Sequence, residues 1–105
     1  MSLRKYIVLL QKGEYMTIDS LYAVIKNRQE NKPEGSYVAS LIDNSDRLIQ
    51  KIGEEATEVV IAAKNENRQR RIEELADLLF HSVVLWAALG ITPEDIYGEL
   101  DKRKK

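Results

Sequence analysis

Cysteine is absent from this 105-residue chain. That excludes disulfides and thiolate metal sites and fits a reducing compartment. A long apolar run is missing too. A membrane span needs about 20 consecutive apolar residues. The apolar run near the N-terminus, Tyr6-Ile-Val-Leu-Leu10, is too short for the apolar core of a signal peptide, and no small-residue cleavage site follows it. Nor is there an excess of charge of one sign. Sixteen basic residues face seventeen acidic ones, and a formal net charge of −1 gives no global field to recruit nucleic acid or anionic lipid. These absences predict a soluble cytoplasmic protein without nucleic-acid or membrane partners. What is present is ordinary for a globular chain, 44% hydrophobic and 31% charged, at a length that fits one domain with a single modest core.

The pattern predicts an all-α fold. Residues 1–16 are the exception: Tyr6 to Leu10 reads as a short strand or a helix start, and Lys12-Gly13 as a turn. They are taken as an N-terminal extension without an assigned role, with the helical domain spanning 17–105. Thr17 is an N-cap, and Ile18, Leu21, Tyr22 and Ile25 follow at helical spacing. Pro33 and Gly35 break that helix, and a short helical piece covers Tyr37 to Ile42. Asn44 or Ser45 caps a long helix to about Asn65. Its apolar residues Ile49, Ile52, Ala56, Val59, Val60 and Ala63 gather on one side and are expected to face the core. Gly53 inside this helix costs about 1 kcal/mol relative to alanine, which points to a close approach by backbone or ligand. The next helix runs from about Arg68 to Leu89 and stops at Gly90. Its second half is apolar on nearly every side, so it must be surrounded. One short chain has few elements to do so, and a second subunit against Leu78, Leu79, Val84, Leu85 and Trp86 is expected. Thr92 and Asp95 form a partial capping box, with Pro93 at the first position of a last helix that ends in a solvated basic stretch at Lys102 to Lys105.

The chemistry lies in five carboxylates. Glu54, Glu55 and Glu58 fall within one narrow arc of the first long helix, at about 100° per residue. Glu74 and Asp77 repeat the arrangement at i, i+3 on the second. The bland alternative is a solvated acidic face, and three details oppose it. A solvated face usually carries a basic residue four positions after each Glu, whereas here those positions hold Glu58, Val59 and Ala62. Asp77 opens the apolar stretch, where an unpaired buried charge is costly. The two clusters also sit on adjacent long helices whose antiparallel pairing brings them together. Clustered carboxylates repel unless a cation lies between them, and an oxygen-only set of this charge suits Mg²⁺, or Mn²⁺, rather than zinc. Lys51, inside the acidic motif, is placed to reach a phosphate. His81, four residues after Asp77, reads first as a core histidine satisfied by Asp77 or a backbone carbonyl, with a phosphate-facing role as the sharper option.

The string Glu54-Glu55-x-x-Glu58 followed by Glu74-x-x-Asp77 resembles the signature of the MazG-type all-α nucleotide pyrophosphohydrolases. Pro33-Glu-Gly-Ser-Tyr37, Lys51-Ile-Gly-Glu-Glu55, Glu74-Leu-Ala-Asp-Leu-Leu-Phe-His81 and Gly90-Ile-Thr-Pro-Glu-Asp95 narrow the resemblance to the phosphoribosyl-ATP pyrophosphohydrolase family of histidine biosynthesis. It covers roughly Thr17 to Arg103. It departs at Val38, where the family more often has threonine, so no ligand role is carried to that position.

The resemblance implies a helical bundle completed by homodimerisation around a four-helix core. It also implies Mg²⁺-dependent hydrolysis of the α–β phosphoanhydride of 1-(5-phosphoribosyl)-ATP to phosphoribosyl-AMP and pyrophosphate. On that reading Glu54, Glu55, Glu58, Glu74 and Asp77 hold the metal. One glutamate, with Glu55 the candidate, orients or deprotonates the water. Lys51 neutralises pyrophosphate oxygens, and Ser36, Tyr37 and His81 face the substrate. The rivals are a broader house-cleaning NTP or dNTP pyrophosphohydrolase with the same metal site and a non-catalytic helical dimerisation module.

Overall fold

The computed structural model describes residues 15–104, all of whose regular structure is helical. The reading of Tyr6 to Leu10 and of Lys12-Gly13 lies outside the described residues. Five helices follow in order: α1 Ile18–Asn31, α2 Tyr37–Ile42, α3 Ser45–Asn65, α4 Arg68–Leu89 and α5 Pro93–Arg103.

Local chemistry sets the boundaries. At the start of α1, Ser20 N–H donates to Thr17 Oγ1 at 3.1 Å and Thr17 N–H donates to Ser20 Oγ at 2.8 Å, a reciprocal capping box. Asn44 caps α3 by accepting from Arg47 N–H at 3.2 Å, and Asn67 does the same for α4 from Arg70 N–H at 2.9 Å. Gly90 ends α4 at φ 73°, the left-handed conformation that glycine adopts without a Cβ penalty. Thr92 and Asp95 close a second box at α5, with Pro93 at its first turn.

The two-residue connection Glu66-Asn67 folds α4 back antiparallel along α3, and this is the most extensive helix pairing in the chain. Across it Arg71 Nε–H donates to the Ala62 carbonyl at 3.1 Å. Helix α1 packs on the opposite side of α4, while α2 wedges between α1, α3 and α4 and buries Tyr37, Val38, Ala39 and Leu41. The core is Leu21, Ile25, Leu41, Leu48, Phe80, Val83 and Val84. Helix α5 lies against α1, where Tyr97 O–H donates to Asp19 at 3.0 Å. No single helix among the described residues is long and apolar enough to cross a membrane.

Two expectations are corrected. The apolar side of α3 does not face the core of its own chain. The buried residues of α3 are Leu48, Glu55 and Ala62, two turns apart on the side that meets α4. Ile49 and Val60 are 57% and 59% exposed. A two-faced pattern shows that a helix has an apolar side, not which neighbour covers it, and here the side that carries Glu55 turns inward while Glu54 and Glu58 stay exposed. The second half of α4 is likewise better covered than expected. Val83 and Val84 are fully buried by the chain itself, and Leu78, Leu85 and Trp86 are partly covered. Of the expected patch Leu79 alone is exposed, and the other outward large apolar residues of α4 are Ile72 and Leu75 before it and Leu89 at the helix end.

Candidate active site

Pairing α3 with α4 brings three carboxylates into one place. Glu55 from α3 and Glu74 and Asp77 from α4 each offer an oxygen, all within 4.8 Å of one another. Glu55 and Glu74 are only 7% and 6% exposed, and Asp77 is half-buried. At that separation two unit charges repel by roughly 3 kcal/mol at an effective dielectric constant near 20, so the arrangement is unfavourable without positive charge.

Two side chains supply part of that charge. Lys51 Nζ lies 3.3 Å from Glu55 and 3.7 Å from Glu54. Arg70 forks between Glu73 and Glu74, with both contacts at 2.6 Å. Burial works against the Lys51 charge, but its hydrogen bond to Glu55 and the nearby Tyr37 and Glu54 outweigh that and hold its ammonium above the usual range. Burial pushes the Glu74 carboxyl up. Arg70 opposes this, and the charges of Asp77, Glu55 and Glu58 add to it. Burial also raises Asp77, reinforced by Glu55. Three crowded carboxylates against two cations, each of which also serves a carboxylate outside the trio, fit a hard divalent cation such as Mg²⁺ or Mn²⁺.

The other expected ligands lie at the margin. Glu54 is exposed and accepts from Gln50 at 3.3 Å. Glu58 is exposed on the side of α3 whose charge is felt at Glu74. Gly53, read as a place of close approach, is exposed with open space around it. Arg70 escaped the sequence reading, although its i, i+4 spacing to Glu74 was the available signal.

The three residues expected to face substrate fall into two environments. Ser36 Oγ caps α2 by accepting from Ala39 N–H at 3.1 Å. It also borders a cavity of about 300 Å³ between α1, the Pro33–Ser36 turn and Phe80, with Arg28 in its lining. Tyr37 and His81 are buried instead and hydrogen-bond to each other at 2.9 Å. The second nitrogen of His81 meets the Asp77 carbonyl at 2.7 Å. Val38, where the resemblance departs, is a core residue.

The described residues form an all-helical fold with a carboxylate cluster between its two long helices, the frame of a candidate divalent-metal site. The chain belongs to the phosphoribosyl-ATP pyrophosphohydrolase family, whose model matches residues 18–104. It is 48% identical over 89 residues to a curated phosphoribosyl-ATP pyrophosphatase of Sulfurisphaera tokodaii, covering 84% of this chain and 95% of that protein. The proteins of the same name from Saccharolobus solfataricus and Saccharolobus islandicus are 45% identical over the same shares.

Proposed function

We propose that this chain hydrolyses 1-(5-phosphoribosyl)-ATP between its α and β phosphates, giving phosphoribosyl-AMP and pyrophosphate, in the second step of histidine biosynthesis. The observation that carries the reading is the meeting of Glu55, Glu74 and Asp77 within 4.8 Å, in a chain that belongs to this family. These three residues are the proposed metal ligands, with Glu54 and Glu58 at the rim. Bound there, Mg²⁺ or Mn²⁺ would neutralise phosphate charge and lower the pKa of a water molecule.

The chain's own groups account for the rest. Glu55 is assigned to accept a proton from the attacking water, and Lys51 to stabilise charge on the departing pyrophosphate. Water adds to one phosphorus of the α–β anhydride, the bridging P–O bond breaks, and phosphoribosyl-AMP and pyrophosphate are released. The part of the substrate beyond the triphosphate is assigned to the side where Ser36 borders its cavity.

The working form is proposed to be a homodimer of residues 17–105 in the cytoplasm, with residues 1–16 as an extension. Ile49, Val60 and Ile61 of α3 and Ile72, Leu75 and Leu79 of α4 are exposed apolar side chains on the two paired helices. A surface of that kind is what a second copy covers.

Pyrophosphate release from phosphoribosyl-ATP beside a panel of NTPs and dNTPs, with and without chelator, tests the activity. Equal cleavage of ordinary triphosphates would favour a house-cleaning enzyme. No release from any nucleotide, with no metal binding, would favour a non-catalytic dimerisation module.

A further inference from the structure

Tyr37 and His81 carry groups suited to binding phosphate or metal, yet both are buried, and their polar atoms point at protein. The Asp77 carbonyl can only accept, so the 2.7 Å contact requires a proton on His81 Nδ1. The other ring nitrogen, Nε2, shares a second hydrogen bond with the Tyr37 hydroxyl, 2.9 Å away. Both nitrogens are then used within the protein. The ring itself is 2% exposed. It is held edge-on between Tyr37, at 5.9 Å and 83°, and Phe80, at 5.1 Å and 89°, while Tyr37 stacks on Phe80 at 6.4 Å and 13°. The three rings join α2 to the turn of α4 that carries Asp77, whose carboxylate meets Glu55 and Glu74.

We infer that His81, with Tyr37 behind it, is a positioning residue for Asp77 and contacts neither substrate nor metal. The pair fixes the backbone of the Asp77 turn through its carbonyl, so that the carboxylate is aimed at Glu55 before any ion arrives. Groups of this kind, bonded to a ligand rather than to the ion, typically change metal affinity or activity by about 10- to 100-fold when removed. The inference rests on the proposed metal site but not on the identity of the nucleotide.

The full chain is suited to the test because it contains a single histidine. The ¹⁵N signals of that imidazole in the metal-free protein are expected to show Nδ1 protonated. Mn²⁺ titration by calorimetry or electron paramagnetic resonance then compares His81→Gln, His81→Asn and Tyr37→Phe with the parent, with melting curves recorded for each. Glutamine places its amide near the old Nε2 and loses the donor to Asp77, whereas asparagine keeps a donor near the old Nδ1. Mn²⁺ affinity should fall about tenfold in His81→Gln and largely recover in His81→Asn. Tyr37→Phe keeps the ring stack and should weaken Mn²⁺ binding by less than His81→Gln. The preference for phosphoribosyl-ATP over ATP should be the same in all three.

An Nδ1 without its proton, Mn²⁺ affinity untouched in His81→Gln, or equal losses in the two His81 variants would overturn the inference. So would a changed substrate preference at unchanged metal affinity. Should both His81 variants fail to fold, Tyr37→Phe with parental Mn²⁺ affinity would overturn it, and a loss of affinity that persists when Lys51→Met/Tyr37→Phe is compared with Lys51→Met, which removes the Tyr37 effect on Lys51, would support it. The metal titration reads the pair whether or not phosphoribosyl-ATP is the substrate, so this inference and the proposed activity can fail separately.

Discussion

Arg70 holds Glu74 from one turn upstream on α4, its Nη2 2.6 Å from an oxygen of a carboxylate that also belongs to the acidic trio. Of the groups acting on Glu74, Arg70 is the one that opposes the upward push of burial and of the neighbouring charges. Arg70→Gln removes that opposition and should raise the Glu74 carboxyl further. Metal binding needs the ionised carboxylate, so the midpoint of metal affinity against pH should move to higher pH in the variant. An unmoved midpoint would separate the ion pair from the metal site.

The carboxylates themselves should divide by position. Glu55→Gln and Asp77→Asn keep side-chain volume while removing a charge from the trio, and turnover should fall by more than about a hundredfold with helical content intact. Glu58→Gln, at the rim, should also lose most activity, because its charge is felt at Glu74. Glu54→Gln should cost least, since Glu54 is exposed and engaged with Gln50 and Lys51. Steady-state assays at limiting and saturating Mg²⁺ read these effects. Near-parental activity of Asp77→Asn at limiting Mg²⁺ would remove it from the site.

Protonation links the same residues to stability. Glu74 and Asp77 are both held above their ordinary range, chiefly by burial. The folded chain therefore binds their protons more tightly than the unfolded chain. Where pH lies between the ordinary carboxylate range and the raised folded values, stability falls as pH rises. In metal-free protein the melting temperature of Asp77→Asn should exceed the parent's by a margin that grows with pH across that window. Saturating Mg²⁺ should reverse the order, because the metal stabilises only the protein that binds it. Thermal melts from mildly acidic to neutral pH, with and without Mg²⁺, check both statements.

A charge on the outward face of α3 or α4 should affect assembly rather than the monomer fold. Leu75 is 55% exposed, so Leu75→Glu costs little packing within one chain but places a charge in the proposed dimer surface. Sedimentation at micromolar concentration should give a dimer for the parent and a monomer with retained helicity for the variant. A stable parental monomer would contradict the assembly.

Local chemistry was the most legible part of the sequence. The caps at Thr17, Asn44 and Thr92 and the stop at Gly90 depend on a few adjacent residues, and the helix boundaries they imply agree with the structure. Which side of α3 faces inward was not legible, because that choice depends on its partners. Glu55 points to α4 since Glu74 and Asp77 come with it, while Ile49 and Val60 remain outside. The acidic cluster could be read from spacing, but which of Glu54 and Glu55, about 100° apart around the helix, turns inward could not, since that depends on where α4 lies. His81 was legible as a core histidine satisfied by Asp77 or a backbone carbonyl, and its partner is the Asp77 carbonyl. Its link to Tyr37 was not, because 44 positions separate them in sequence.

Substrate choice is the central claim, and pyrophosphate release measures it directly. The triphosphate is common to phosphoribosyl-ATP and ATP, so the three carboxylates and Lys51 cannot distinguish them. A site built for the added ribose phosphate leaves polar groups unpaired with ATP, a penalty that can exceed about a hundredfold in kcat/KM. The decisive measurement is kcat/KM for pyrophosphate release from phosphoribosyl-ATP and from ATP, side by side, with Mg²⁺ and with excess chelator. Cleavage of phosphoribosyl-ATP favoured by at least about a hundredfold and abolished by chelator is the expected result. Comparable efficiency on ATP, or release that survives chelation, would contradict the assignment.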